Sequence, residues 1–325
     1  MYLNLDPLPH YTFLVAELVT YVVAGFCVRH AHRQHRSLLF LLLNAMLAGY
    51  LIEAALVVFA EGYDYGRFLV MLPGPVPLCI AMGWGVIIYA SMQTTDLMAV
   101  PFLARPICDA LLALSIDFNL DPMAETLGYW HWVKGGQYFG VPYQNFLGWF
   151  MIVSGFTAGT RLAYRWLKVG ARGWANNLLA CLLALGITGG GMGLAQLART
   201  YIFGPFGELI PFMVVYVVAI AVVLVDLDKF QHNRVLDPVL LFVPLGLHGY
   251  LVLNFALTGS YNRLTEFVVL MPLLVAVSLV AFAFPYVDQL LRCRRGCEQL
   301  ALDHDMETDH DSLCPHYDPP TFQRE

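Results

Sequence analysis

Residues 38–60 read LLFLLLNAMLAGYLIEAALVVFA. The stretch is long enough to cross a bilayer as one helix, which takes about 20 apolar residues. A single carboxyl group, Glu53, interrupts it. An acid at that depth costs about 3 kcal/mol or more and turns toward a cavity or a partner rather than toward lipid. The segment therefore predicts a membrane helix and a polar site inside the membrane.

The rest of the chain follows the same pattern. Of 325 residues, 58% are hydrophobic and only 13% charged, with a mean hydropathy of +0.62. Soluble domains carry about 25% charge. Apolar runs predict nine spans at about 11–28, 38–60, 76–93, 98–118, 142–160, 177–198, 209–226, 238–257 and 267–290. The expected fold is all-α, a polytopic transmembrane helix bundle over residues 1–296. Residues 297–325, with DHDMETDHDSLCPHYDPP at their core, are polar and acidic and predict a disordered cytoplasmic tail. Asp6 and Glu17 stand where a cleavable signal peptide would carry basic residues.

Basic residues predict the orientation. Arg29, Arg33 and Arg36 follow span one, and Arg161, Arg165, Lys168 and Arg172 follow span five. Lys229 and Arg234 follow span seven, and Arg292, Arg294 and Arg295 follow span nine. A nine-span chain puts all of these on one side and leaves Arg67, Lys134, Arg199 and Arg263 on the other. Lys and Arg in short loops favour the cytoplasm. The N-terminus is thus expected outside and the C-terminus inside, in a bacterial inner membrane. No basic stripe points to nucleic acid. Cys27, Cys79, Cys108 and Cys181 lie in apolar spans and read as small hydrophobes, so no structural disulfide is expected. His304, His310, Cys314 and His316 match no closed zinc spacing.

Two segments resemble each other. Residues 75–85 read PVPLCIAMGWG and residues 140–150 read GVPYQNFLGWF. Pro77 precedes Trp84, and Pro142 precedes Trp149, by the same seven residues. Glu53 lies 24 residues before Pro77, and Asp117 lies 25 before Pro142. Between acid and proline come the aromatic connections EGYDYGRF and LGYWHWVKGGQYFG. Spans two to five thus read as a candidate parallel repeat, with chance similarity of aromatic loops as the alternative.

The remaining intramembrane polar groups gather in span four. Arg105 and Asp109 stand i,i+4 and can pair on one helix face. Asp117 and Asp121 share a face if the helix continues. Alternatively Asp121-Pro122 caps and opens a separate short helix reaching Trp132. Trp130, Trp132, Tyr138 and Trp149 surround these acids, either as an interfacial aromatic belt or as pocket walls. Trp149 lies two turns into span five, with Asn145 on its face. Asn44, Gln196, His248 and Asn254 read as helix–helix hydrogen bonders, and Gly189–Gly193 as a close-packing run rather than a phosphate loop. The histidines of RHAHRQHR, residues 29–36, are too few for a di-iron box and read as part of a basic loop.

No metal, haem or nucleotide motif emerges. Carboxyl groups beside aromatic rings inside a membrane suit the protonation of an alkene. A carboxyl in an apolar pocket retains its proton and can act as general acid. Ring faces stabilise the resulting carbocation. The substrate would be a lipid with a trisubstituted double bond, entering from the bilayer.

The run Asp117…Asp121-Pro122…Gly128-Tyr-Trp130-His-Trp132…Gly136-Gln-Tyr138-Phe-Gly140-Val-Pro142…Asn145-Phe-Leu-Gly148-Trp149 resembles the bacterial and archaeal carotenoid biosynthesis protein family, which includes carotenoid 1,2-hydratases. Glu53, Tyr65-Gly-Arg-Phe68, Pro77 and Trp84 are similar to its other half, although Tyr65-Gly-Arg-Phe departs from the Pro-Phe-Gly-x-Tyr form. The likeness covers about residues 45–160. It implies a carbon–oxygen lyase adding water to the terminal isoprene double bond of a lycopene-like or γ-carotene-like substrate, without metal or redox cofactor. In that case Asp117 or Asp121 donates the proton, and Glu53 or the other aspartate binds and deprotonates water. Trp130, Trp132 and Trp149 shield the cation, Trp84 and Tyr138 also bind substrate, and Asn145 orients water or an acid. Other carotenoid-pathway enzymes are the expected protein partners.

Three other readings fit parts of the pattern. A carotenoid end-group cyclase shares the protonation step. A lipid or carotenoid transporter would use the repeat interface as a path. A retinal photoreceptor would need a lysine within a span, whereas Lys134, Lys168 and Lys229 fall in predicted loops.

Overall fold

Helix dominates the computed structural model, which describes residues 1–3, 8–60, 62–98, 100–166, 173–204, 207–225 and 238–303. Nine α-helices form among the described residues: α1 Tyr11–Gln34, α2 Arg36–Ala55, α3 Leu78–Leu97, α4 Arg105–Leu127, α5 Tyr143–Trp166, α6 Gly173–Tyr201, α7 Leu209–Val225, α8 Phe242–Leu257 and α9 Thr265–Asp303. Short strands lie between them: β1 Tyr2–Leu3, β2 Tyr63–Tyr65, β3 Val70–Leu72, β4 Val76–Pro77 and β5 Trp130–Trp132. Residues 297–303 of the expected tail continue α9. The rest of it, with Lys168, Arg172, Lys229 and Arg234, lies outside the described residues.

Six helices are long and apolar enough to cross a membrane, and α7 is a shorter apolar helix. Leu47, Leu182, Leu194, Val217, Leu253, Val269 and Val277 stand exposed on their surfaces, as side chains facing acyl chains would. The helices α4 and α5 are not among the six for a physical reason. The acids and Arg105 on α4 and the polar groups on α5 need protein around them, and α4 packs against α3, α5, α7, α8 and α9. The core is built around that central helix.

At α4 one of the two readings of Asp121-Pro122 holds, and two expectations change. The helix begins at Arg105 and runs through Asp121-Pro122 to Leu127, so Pro122 is internal and Asp121 is no N-cap. An internal proline leaves the carbonyl four residues earlier without its donor. Here that carbonyl belongs to Phe118, and the Tyr138 hydroxyl donates to it at 3.2 Å. The predicted Arg105–Asp109 pair does not form. Arg105 turns to Val100 O at 2.8 Å and to Asp96 at 3.4 Å. Asp109 instead accepts a fork from Arg161, whose guanidinium also meets Asp96 at 3.0 Å. Arg161 was expected in a cytoplasmic loop, but it is a buried residue of α5. Tertiary contact across α3, α4 and α5 outcompetes the local pairing.

The basic segment 29–36 is likewise helix rather than loop, since α1 reaches Gln34 and α2 starts at Arg36. The glycine run packs closely at Gly191, where a Cβ would lie 3.3 Å from Met151 Cε, but not at its other glycines. A Cβ on Gly189, Gly190 or Gly193 would meet nothing within 4 Å. The close approach of α5 and α6 uses Gly155 and Gly159, where a Cβ would sit 2.9 Å from Thr188 Cα and 2.5 Å from Ala184 Cα. Asn44, His248 and Asn254 do bond between elements, to Asn177 O, Asn119 and the Tyr129 hydroxyl.

The loop after α2 pairs with the loop after α4. β2 and β5 run antiparallel, with Tyr63 opposite Trp132, Asp64 opposite His131 and Tyr65 opposite Trp130. Gly66 lies where the backbones are closest. A Cβ there would stand 2.3 Å from Gly128 O. Gly128 itself ends α4 in the left-handed conformation that suits glycine. The ladder is pinned to α4 by Glu125, which accepts from the Trp132 backbone N–H at 3.1 Å and meets His131 at 2.7 Å.

Candidate active site

Alternation along the two short strands builds one wall of a hollow. Successive strand side chains point to opposite faces. In Tyr63-Asp-Tyr65 and Trp130-His-Trp132 the four rings turn inward, with Trp132 4.8 Å from Tyr63 and Trp130 6.2 Å from Tyr65. The opposite wall comes from α3 and α5, where Trp84 and Trp149 stack at 4.0 Å and 23°. Gly49 on α2 makes this possible, because a Cβ there would lie 2.4 Å from Trp84 Cβ.

Glu53 projects from α2 into this space and is almost wholly buried. It accepts three hydrogen bonds. The Tyr63 hydroxyl donates to Oε2, the Tyr65 hydroxyl donates to the same oxygen at 2.7 Å, and Trp84 Nε1–H donates to Oε1 at 2.7 Å. Burial, and then the neighbouring carboxylate of Glu53, hold the Tyr63 phenol above its ordinary value, so it remains a donor.

Asp121 enters the same hollow from α4, buried at 2% exposure. Asp117 lies one turn earlier on the same helix face, close enough for the two carboxyls to interact directly. The amide of Asn145, from the first turn of α5, donates to Asp121 and stands 3.5 Å from Asp117. Among the described residues, neither buried Asp117 Oδ1 nor buried Trp132 Nε1 has a hydrogen-bond partner.

An inner cavity of about 80 Å³ is lined by Glu53, Asp121, Asn145, Trp84, Trp130, Trp132 and Trp149. A second cavity of about 650 Å³ shares Glu53, Trp84, Trp132, Asn145 and Trp149 with it and extends between α5 and α6. Its far end carries Lys134, Gln144, Gln196, Arg199 and Glu208. Of the residues singled out in the sequence, Glu53, Asp121, Trp84, Trp130, Trp132, Asn145 and Trp149 converge. Asp117 stands behind Asp121, and Tyr138 lies off the hollow, packed on Phe118 and Phe146. Tyr63 and Tyr65 were not singled out. The tripeptides YDY and WHW, two rings around a polar centre in matching loops, are the period-two signal that could have found them.

The arrangement offers one acid met by three donors, a second acid backed by a third, an amide and four indoles around one hollow. It can present a proton to an apolar chain and surround a cation with ring faces. Residues 11–204 match the family model described as carotenoid biosynthesis protein. No curated protein and no solved structure matches the chain.

Proposed function

The chain belongs to the carotenoid biosynthesis protein family, and from that premise we propose that it is a carotenoid hydratase, a carbon–oxygen lyase acting on an acyclic end group. Asp121 protonates the less substituted carbon of the terminal double bond. The tertiary cation forms between the Trp84–Trp149 stack and Trp132, whose rings stabilise it. Water then bonds to the cationic carbon and gives a tertiary alcohol. Asn145 holds the Asp121 carboxyl in place. The cavity between α5 and α6 takes the following part of the chain, which enters from the bilayer.

One observation favours hydration over cyclisation. Trp132 lines the hollow, and its Nε1–H is buried without an acceptor among the described residues. An unpaired buried donor is costly, by about 1–3 kcal/mol. An oxygen arriving there removes that cost, and a hydrocarbon ring closure brings none.

In the same reading all nine helices cross a bacterial inner membrane, with the N-terminus outside and the acidic C-terminus in the cytoplasm. The repeat of spans two to five is supported by three paired features. Pro77 and Pro142 each precede a helix, Trp84 and Trp149 stack, and the two intervening loops pair centred on Asp64 and His131.

Expression in a lycopene-producing bacterium, with mass spectrometry of the pigments, tests the function. A hydratase adds the mass of one water per reacted end. An isobaric product would establish a cyclase. Unchanged lycopene and γ-carotene would point to transport or another role.

A further inference from the structure

Glu53 and Asp121, with Asp117 behind it, meet at one hollow with opposite hydrogen-bond inventories. Glu53 meets donors: two phenols on Oε2 and an indole on Oε1. An ionised carboxylate only accepts, whereas a protonated one must also donate. Three donors therefore suit the anion and leave a proton of its own poorly placed. Among the described residues the aspartates meet one amide between them, and Asp117 Oδ1 has no partner. Two ionised carboxylates side by side repel, and a single shared proton relieves this.

Resting on the hydratase reading, we infer that Glu53 is the fixed counter-charge to the carbocation, not the base that deprotonates water. Tyr63 and Tyr65 are positioning residues that hold it. The reacting proton belongs to the Asp117–Asp121 pair throughout. In the first step the Asp121 O–H bond breaks and a C–H bond forms, leaving the aspartate pair ionised and the substrate carbon cationic. In the second, water forms the C–O bond and its proton passes to the aspartate pair. The pair is restored, one water has been added, and Glu53 has exchanged no proton. Its link to Trp84 adds a second effect. An indole whose N–H donates to an anion has a more electron-rich face, and that face is stacked on Trp149 beside the cation.

The test uses the full chain in detergent and two probes read by tryptophan fluorescence. One is a long prenyl chain ending in a dimethylamino group, protonated at neutral pH. The other is its neutral isopropyl isostere. The protein is expected to bind the ammonium probe about tenfold or more tightly than the isostere, as a buried charge pair supports. Glu53→Gln is expected to abolish that preference and Asp121→Asn to keep it. Binding of the neutral isostere reports that each variant is folded. Should Glu53→Gln lose isostere binding, the Tyr63→Phe/Tyr65→Phe double variant decides, and its preference is expected to fall at least about threefold. A preference that survives Glu53→Gln, that falls by less than about threefold in the double variant, or that vanishes in Asp121→Asn, overturns the inference. Isobaric pigments in the lycopene strain would overturn hydration alone, because the ammonium preference is read without turnover.

Discussion

Trp84 and Trp149 stack at 4.0 Å although they belong to helices 65 positions apart in the chain, each seven residues after the proline that precedes its helix. The contact joins the α2–α3 and α4–α5 hairpins at the wall of one hollow. Trp84 also donates to Glu53, so the stack fixes an acid as well as a ring face.

Replacing Trp84 by Phe separates these two tasks. The ring face remains, while the donor to Glu53 is removed. Hydration is expected to fall about tenfold or more, the effect of one lost charge-assisted hydrogen bond. Pigment ratios at matched protein levels measure it. Full activity in this variant would mean that the indole N–H is idle.

Asp121→Asn removes the proton proposed to react. General acids contribute about 10²–10⁴-fold, so the hydrated pigment should drop by at least the lower figure. Asp117→Asn should cost less, because Asp117 stands behind Asp121 and does not line the cavity. The reverse order, with Asp117 the more sensitive, would move the proton donor one turn along α4.

Arg161→Met addresses the far end of the bundle. Asp109 is wholly buried and takes its fork from Arg161, so the variant leaves an uncompensated carboxylate. A loss of about 3–5 kcal/mol is expected, seen as a lower midpoint in thermal unfolding by fluorescence in detergent. Arg161→Met with Asp109→Leu should regain much of it. A single variant as stable as the parent would show that Asp96 and Asp109 are relieved by another route.

Alkaline pH should act through the connections after α2 and α4. Tyr63, Tyr65, Tyr129 and Tyr138 all have phenols held above the ordinary value of 10.0, with burial the largest cause. Above about pH 10 the unfolded chain loses these protons while the folded chain keeps them. Stability is therefore present below that pH and falls as pH rises further. The Tyr63→Phe/Tyr65→Phe variant should show a shallower decline in unfolding midpoint between pH 9 and 11, taken as about one unit either side of the phenol value.

Much of this protein was legible from local pattern. The helices follow from apolar runs whose length matches a bilayer, and Glu53 stood out because a lone acid in such a run is expensive. Asp117, Asp121, Asn145 and both Pro-to-Trp motifs were visible for the same reason, as polar or bulky groups where leucine would serve. Helical periodicity also put the two aspartates on one face. Partner choice was not legible. Arg161 took Asp109 from Arg105, and Tyr138 went to the Phe118 carbonyl that Pro122 leaves free rather than to the hollow. Those outcomes depend on which helix faces lie together, a competition between distant residues that spacing along one chain does not encode. The tyrosines on Glu53 belong to the same class. Only the pairing of two loops, 67 residues apart at Asp64 and His131, brings their hydroxyls over the acid, because a donor count is a property of a folded enclosure and not of a segment.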